Sequence, residues 1–224
     1  MRYVVRGTAV AAVLVLALTG CQEDPKPSGG QAPITSVPGA IGQEPVPSKS
    51  PEVQDARLDA AALMQALPDE SDVSKYFSGG EPFATGGPEA AKHCAKETGT
   101  ACTGLIAVGG KDTESAGSSG TRAEFRLFSF ETAEQARTAM KGLADERRKG
   151  AARHNEPSKP VTLVSGADET DAFMDDAVGD AVMRVGTVVA HANISETELE
   201  FLAHVAGLQV DRVRAVAAGH GPRA

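Results

Sequence analysis

The sequence predicts an α+β domain, in which an antiparallel sheet is packed by two long helices, preceded by a signal peptide and a disordered tether. Three observations predict it: two stretches have apolar residues at helical spacing, β-rich runs lie between them, and the first 54 residues differ sharply in composition. We expect the signal peptide at 1–20, the tether at 21–54 and one globular domain at 55–224.

The N-terminal segment has the features of an export signal. Arg2 and Arg6 precede an apolar run, Gly7–Gly20. At about 14 residues this run is shorter than the roughly 20 that a membrane-spanning helix needs. It ends in Leu18–Cys21, with the sequence LTGC, which resembles the lipobox of bacterial lipoproteins. An ordinary secretory signal with a coincidental cysteine is the alternative.

The lipobox resemblance implies cleavage before Cys21 and attachment of a diacylglyceryl group to the sulfur of Cys21. A doubly acylated cysteine anchors a protein firmly. The resemblance therefore implies a protein held by lipid on the extracytoplasmic face of the cell membrane. The tether follows, because seven of the chain's 13 prolines lie in the segment 25–51, where apolar residues show no period.

Two cysteines remain in the domain, Cys94 and Cys102. Outside the cytoplasm an even pair of nearby cysteines is expected to be oxidised, so we predict a disulfide between them. The alternative is a metal site formed by His93 and the two cysteines. Zinc needs three or four protein ligands, and adjacent residues rarely bind one ion together. We therefore expect no metal and no cofactor.

The first half of the domain contains two predicted helices and a strand. Residues 56–67 have apolar side chains at positions i, i+3, i+4 and i+7, with Asp55 as the N-cap and Pro68 as the stop. A short helix is expected at Pro88–Lys96. The segment 122–130 alternates apolar and charged residues, which is typical of a half-buried strand.

The first long helix is predicted at 133–149. Thr132 and Gln135 have the spacing of a capping box, and the basic residues 147–149 favour the negative end of the helix dipole before Gly150.

The last third of the chain is rich in β-forming residues. Short strands are predicted near 161–165 and at Asp171–Met174, and the valine-rich run Ala181–Ile194 is predicted to be one central strand with both faces covered. Turns near Gly109–Gly120 and Val178–Asp180 favour hairpins, and therefore an antiparallel sheet.

The second long helix follows Ser195 and Glu198, which have the spacing of another capping box, and ends at Gly219. This element order, with paired cysteines after an N-terminal helix, resembles the extracellular sensor-like domains of actinobacterial receptor kinases and their lipoprotein relatives. The resemblance spans about 55–224, although no kinase-linked motif is present.

Three residues are candidates for ligand binding: Arg184, His191 and His204. Arg184 interrupts an apolar strand, and a buried arginine needs an anionic partner. That partner is either a ligand or a local carboxylate such as Asp175 or Asp176. The two histidines are expected near the same strand and the final helix, where they could contribute to acid–base chemistry; the alternative is a structural role.

The net charge and the motifs of the sequence narrow the classes of function to consider. A formal charge of −8 argues against nucleic-acid binding, and familiar catalytic motifs were not found. The acidic segment 168–180 leaves calcium binding open, although its spacing differs from known calcium loops. We expect a non-enzymatic binding, sensing or interaction module of the cell envelope, with an unknown extracytoplasmic protein or small ligand as partner. The alternatives are a transporter's solute receptor and an envelope enzyme.

Overall fold

The computed structural model describes most of the predicted domain, namely residues 57–69, 72, 77–115, 122–153, 157–195 and 198–221. The predicted signal peptide, the lipidation site at Cys21, the tether and the predicted cap at Asp55 lie outside the described residues.

The described elements follow the order α1(Ala60–Ala66), β1(Phe77–Ser78), β2(Phe83–Gly86), α2(Gly87–Thr98), β3(Leu105–Ser115), β4(Arg122–Phe130), α3(Ala133–Arg153), β5(Lys159–Val161), β6(Glu169–Met174), β7(Gly179–Val185), β8(Val188–Ile194) and α4(Leu199–Ala217). The predicted α+β class is confirmed, with α3 and α4 as the two long helices. Both begin within a few residues of the predicted positions.

The eight described strands form one sheet in the order β1-β3-β4-β8-β7-β6-β5, with β2 also paired to β3. Every pair of neighbouring strands is antiparallel, as predicted. The central strands β4, β8 and β7 therefore have partners on both sides, and the short strands lie toward the edges.

Helices cover both faces of this sheet. On one face, Leu63 of α1 and Leu202 of α4 belong to the same buried cluster as Phe125. On the other, Leu143 of α3 belongs to a cluster with Phe128, together with residues of α2. We call these the α1/α4 face and the α2/α3 face. Because β7 and β8 are buried on both faces, their sequences are largely apolar at both even and odd positions.

Two helix starts show why local sequence signals succeed or fail. The capping box of α3 is confirmed, since Thr132 N donates to Gln135 Oε1 at 3.1 Å and Gln135 N donates to Thr132 Oγ1 at 3.3 Å. The capping box predicted at Ser195 is wrong. Its hydroxyl instead accepts a hydrogen bond from Arg122 N at 2.6 Å, and so joins β4 to the end of β8. A tertiary contact has replaced the local one.

The prediction of one long strand at 181–194 is wrong. The run is a hairpin, in which β7 and β8 pair with each other from Val185↔Val188 outward. Gly186, with φ of 58°, provides the left-handed conformation that this two-residue turn requires. Since both strands are apolar on both faces, no change in periodicity marked the turn.

The predicted turn near Gly109–Gly120 begins too early, because β3 continues through both glycines Gly109 and Gly110. A Cβ on Gly110 would lie only 2.7 Å from the Phe83 ring and 2.9 Å from Arg126 Cδ. Gly110 therefore permits a close contact on the α2/α3 face and does not form a turn.

A disulfide joins Cys94 in α2 to Cys102, just before β3, with a Cα–Cα distance of 6.1 Å. Both cysteines are buried in the cluster of the α2/α3 face. Cys102 has φ of 47°, a left-handed conformation that is unfavourable for a residue with a Cβ. The bridge thus holds the end of α2 against the start of β3.

We expect the double variant Cys94→Ala/Cys102→Ala to lower the free energy of unfolding by about 2.5 kcal/mol, because the unfolded chain gains the entropy of the opened loop. Urea unfolding of the full chain measures this. Reductant should destabilise the wild type similarly and leave the double variant unchanged. Equal unfolding curves for oxidised wild type and double variant would contradict the prediction.

Candidate functional site

Arg184 is buried on the α2/α3 face, 8% exposed, and is held by two carboxylates. Its Nε donates to Glu169 Oε1 at 3.0 Å, its Nη1 to Asp168 Oδ2 at 3.2 Å, and Nη1 also to Gly186 O at 2.8 Å. Of the two partners considered for Arg184, a ligand or a local carboxylate, the structure shows local carboxylates. The suggested carboxylates, Asp175 and Asp176, are wrong. Those residues lie in the turn at the other end of β6, whereas strand register places Glu169 opposite Arg184.

This pair is part of a longer charged network at one end of the sheet. Glu169 also accepts from Arg137 of α3, at 2.7 Å, and Asp168 lies 3.5 Å from Arg214 of α4. Hydrogen bonding from Arg137 lowers the pKa of Glu169; burial opposes this, and Arg184 adds to the lowering. The network links the long helices on both faces, which explains Arg184 structurally. Its predicted ligand-binding role stays a prediction.

His191 is completely buried on β8, on the same face as Arg184. Its Nε2 lies 2.8 Å from Asp180 Oδ1, so Nε2 carries the proton and donates it to the carboxylate. Asn193 Nδ2 donates to the same oxygen at 3.0 Å. Within the described chain, His191 Nδ1 has no hydrogen-bond partner. His191 therefore positions Asp180, which the sequence analysis had assigned to a turn.

The charge on Asp180 is stabilised by its neighbours. Burial alone would raise the pKa of Asp180, but the hydrogen bond and charge of His191, the amide of Asn193 and the nearby Arg147 outweigh burial and lower it. Asp180 is thus an ionised carboxylate at neutral pH, held by neighbouring side chains on one oxygen.

His204 is exposed on α4 and therefore belongs to the opposite side of the sheet. The structure places Arg184 and His191 on neighbouring strands but does not bring His204 to them. The role of these three residues in ligand binding stays a prediction.

Beside Asp180 lies an open cleft of about 410 Å³, which sequence reasoning missed. The ends of α2 and α3 form one wall, and the β6–β7 turn with β7 and β8 forms the other. Its charged and amide side chains are Lys96, Glu97, Glu146, Arg147, Arg153, Asp175, Asp180 and Asn193. No sequence motif marks this set, since its members come from five separate structural elements.

Both acidic side chains of the helical wall, Glu97 and Glu146, are paired with nearby cations. Arg147 Nη2 donates to Glu97 Oε2 at 2.7 Å and to Glu124 Oε1 at 2.9 Å, and Lys149 donates to Glu146 at 2.7 Å. Lys96 and Arg153, both exposed, form no ion pair with a described residue. The wall therefore presents two exposed cations, Lys96 and Arg153, although after the hydrogen bond and charge of Lys149 the charge of Arg153 also contributes to lowering the pKa of Glu146.

Metal binding finds no support in the described part of the chain, where no three His, Cys, Asp or Glu residues are arranged to hold an ion. This includes all of the acidic segment 168–180. Nor is any described helix both long and apolar enough to cross a membrane.

Comparisons with known proteins show a structural likeness. No known family model matches the chain, and no curated protein matches it. Among solved structures, the chain is similar to the extracellular domain of PknH from Mycobacterium tuberculosis, with 17% identity and a TM-score of 0.49 over 70% of this chain and 97% of that one. A likeness of this extent does not establish a shared function.

We expect Arg184→Ala to lower the free energy of unfolding by about 2 kcal/mol, because Asp168 and Glu169 lose a charged hydrogen-bond donor. The control is Arg122→Ala, whose side chain is 75% exposed in a surface ion pair and should cost under about 0.5 kcal/mol. Chemical denaturation measures both. Equal, small losses would show that the network at Arg184 does not stabilise the fold.

We expect Asp180→Asn to destabilise the protein by about 1–2 kcal/mol at pH 7. Because the pKa of Asp180 is lowered on folding, its contribution is fully present above the ordinary carboxyl pKa of about 3.9 and is lost as pH falls through the lower folded value. The gap between variant and wild type should therefore narrow below about pH 4.

The matched control for this pH series is Asp176→Asn, the same substitution at an exposed position. It should leave stability unchanged at pH 7. Every variant should still lose some stability in acid, because the pKa of Glu169 is also lowered. A gap between Asp180→Asn and wild type that is constant from pH 7 to about pH 3 would contradict the assigned charge of Asp180.

Proposed function

We propose that this chain is a membrane-anchored extracytoplasmic lipoprotein, whose domain is a non-catalytic module that binds or senses a ligand or partner at the cell envelope. The lipid on Cys21 provides the anchor. The segment 22–54 holds the domain away from the membrane surface, and the domain presents its cleft to the extracytoplasmic space.

Two independent features support this location. The sequence at Leu18–Cys21 resembles a lipobox, and it follows an apolar run too short to span a bilayer. In addition, Cys94 and Cys102 lie close enough to be joined, and a buried structural disulfide is typical of exported proteins.

The observation that carries the binding function is the cleft beside Asp180. Its volume of about 410 Å³ lies within the usual range of small-molecule sites, about 300–1,000 Å³. It combines a buried, ionised carboxylate with exposed cations on the opposite wall. Such fixed, opposed charges favour recognition of a ligand.

The candidates for chemistry have structural partners, which favours binding over catalysis. Arg184 is neutralised by Asp168 and Glu169, and the Nε2 proton of His191 is committed to Asp180. General acid–base catalysis needs a titrating group within reach of a substrate. The ring of His191 is fully buried and does not offer such a group to a substrate.

Metabolic labelling with a fatty acid tests the anchor. In a Gram-positive host, the wild-type chain should be labelled and recovered with the membrane, because Cys21 carries the diacylglyceryl group. Cys21→Ala should be unlabelled. The matched control is Cys94→Ala/Cys102→Ala, which retains Cys21 and should be labelled like the wild type.

Exposure on the outer side is measured on the same cells with a protease that cannot cross the membrane. The anchored domain should be cleaved from intact cells. Equal label in wild type and Cys21→Ala, or protection of the domain until the cells are lysed, would refute the proposed anchoring and location.

A further inference from the structure

We propose that the cleft beside Asp180 binds a small zwitterion that carries both an ammonium and a carboxylate group, such as an amino acid or a short peptide. This deepens the proposed function and rests on it. The argument depends on where the unpaired charges lie on the two walls of the cleft.

The strand wall of the cleft offers a fixed anion, Asp180. Both described hydrogen bonds to the Asp180 side chain, from His191 and Asn193, fall on Oδ1. Oδ2 receives no hydrogen bond from a described residue. A carboxylate that is held on one oxygen and ionised at neutral pH is a suitable partner for an ammonium group.

The helical wall offers cations. Its carboxylates are matched locally, since Glu97 pairs with Arg147 and Glu146 pairs with Lys149. Lys96 and Arg153 then remain as the exposed charges of this wall, with no ion pair to a described residue. The forked guanidinium of an arginine and the ammonium of a lysine both suit a carboxylate.

Opposed charges on the two walls select a dipolar ligand. A simple anion would meet Asp180 and Asp175 on the strand wall, and a simple cation would meet Lys96 and Arg153 on the helical wall. Repulsion of the wrong charge excludes both kinds of ligand. Ala151 and Val178 also line the cleft and provide contacts for a small aliphatic side chain.

The experiment is equilibrium dialysis of the full chain, purified from membranes in detergent, with radiolabelled L-alanyl-L-alanine. Two derivatives remove one charge each: the N-acetyl dipeptide lacks the ammonium group, and the dipeptide amide lacks the carboxylate. We expect each derivative to bind roughly tenfold or more weakly than the parent dipeptide, because each loses a charge-assisted hydrogen bond.

Variants assign the two charges to the two walls. Asp180→Asn should weaken the dipeptide about tenfold and leave the affinity for the N-acetyl form unchanged. Arg153→Gln should weaken the dipeptide several-fold and leave the amide unchanged. The control is Lys141→Gln, an exposed cation of α3 outside the cleft, which should alter neither. Thermal melting confirms that each variant is folded.

The inference is overturned if folded wild type retains no dipeptide at about 10 mM, or if either derivative binds as tightly as the parent. Equal binding of the N-acetyl form indicates an anion site, and equal binding of the amide indicates a cation site. A loss in Lys141→Gln equal to that in Arg153→Gln indicates non-specific charge attraction. None of these results changes the fatty-acid labelling at Cys21, so failure of the ligand class and failure of the anchoring are distinguishable.

Discussion

The structure depends on the burial of its central strands. Strands β4, β8 and β7 lie in the middle of the sheet, and helices cover both of its faces. All of β7, all of β8 except Asn193, and the apolar residues of β4 are therefore buried. Burial of apolar side chains is favourable and provides the driving force for folding. Burial of polar side chains is unfavourable, because a buried charge without a partner costs several kcal/mol. Each polar group on these strands must therefore find a specific partner.

The two polar groups of β7 meet this requirement in different ways. Arg184 lies near the end of the strand, where its guanidinium pairs with Glu169 of β6 and with Asp168, which precedes β6. Arg137 and Arg214 share these two carboxylates. Asp180 lies at the other end and is held by the side chains of His191 and Asn193, both on a single oxygen. The charge of Arg184 is balanced by carboxylates within the fold. Asp180 instead lines the cleft, and its described hydrogen bonds are confined to Oδ1. The cleft is therefore better suited to a ligand than the arginine network is.

Sequence reasoning succeeded where a structural signal is local. The strand at 122–130 is confirmed residue for residue, and the capping box at Thr132 fixes the start of α3. Both signals depend on neighbours within a few positions in the chain. The antiparallel sheet followed from short connections between strands, and the cysteine pairing followed from having only two cysteines in the domain. The predicted cap at Ser195 was wrong because its hydroxyl accepts a hydrogen bond from the backbone of Arg122, more than seventy residues away.

The site could not be predicted because it depends on strand register, which periodicity does not give when both faces are apolar. Treating 181–194 as one strand placed Asp180 in a turn and separated it from Asn193, whereas the hairpin pairs the two residues directly. The same error hid why His191 can be buried, since its partner Asp180 lies on the other strand of that hairpin. A single unrecognised glycine turn thus changed the neighbours of every polar residue in the run. Asp180 and Asn193 of the proposed cleft are neighbours because of pairing across the sheet, and only the structure provides that pairing.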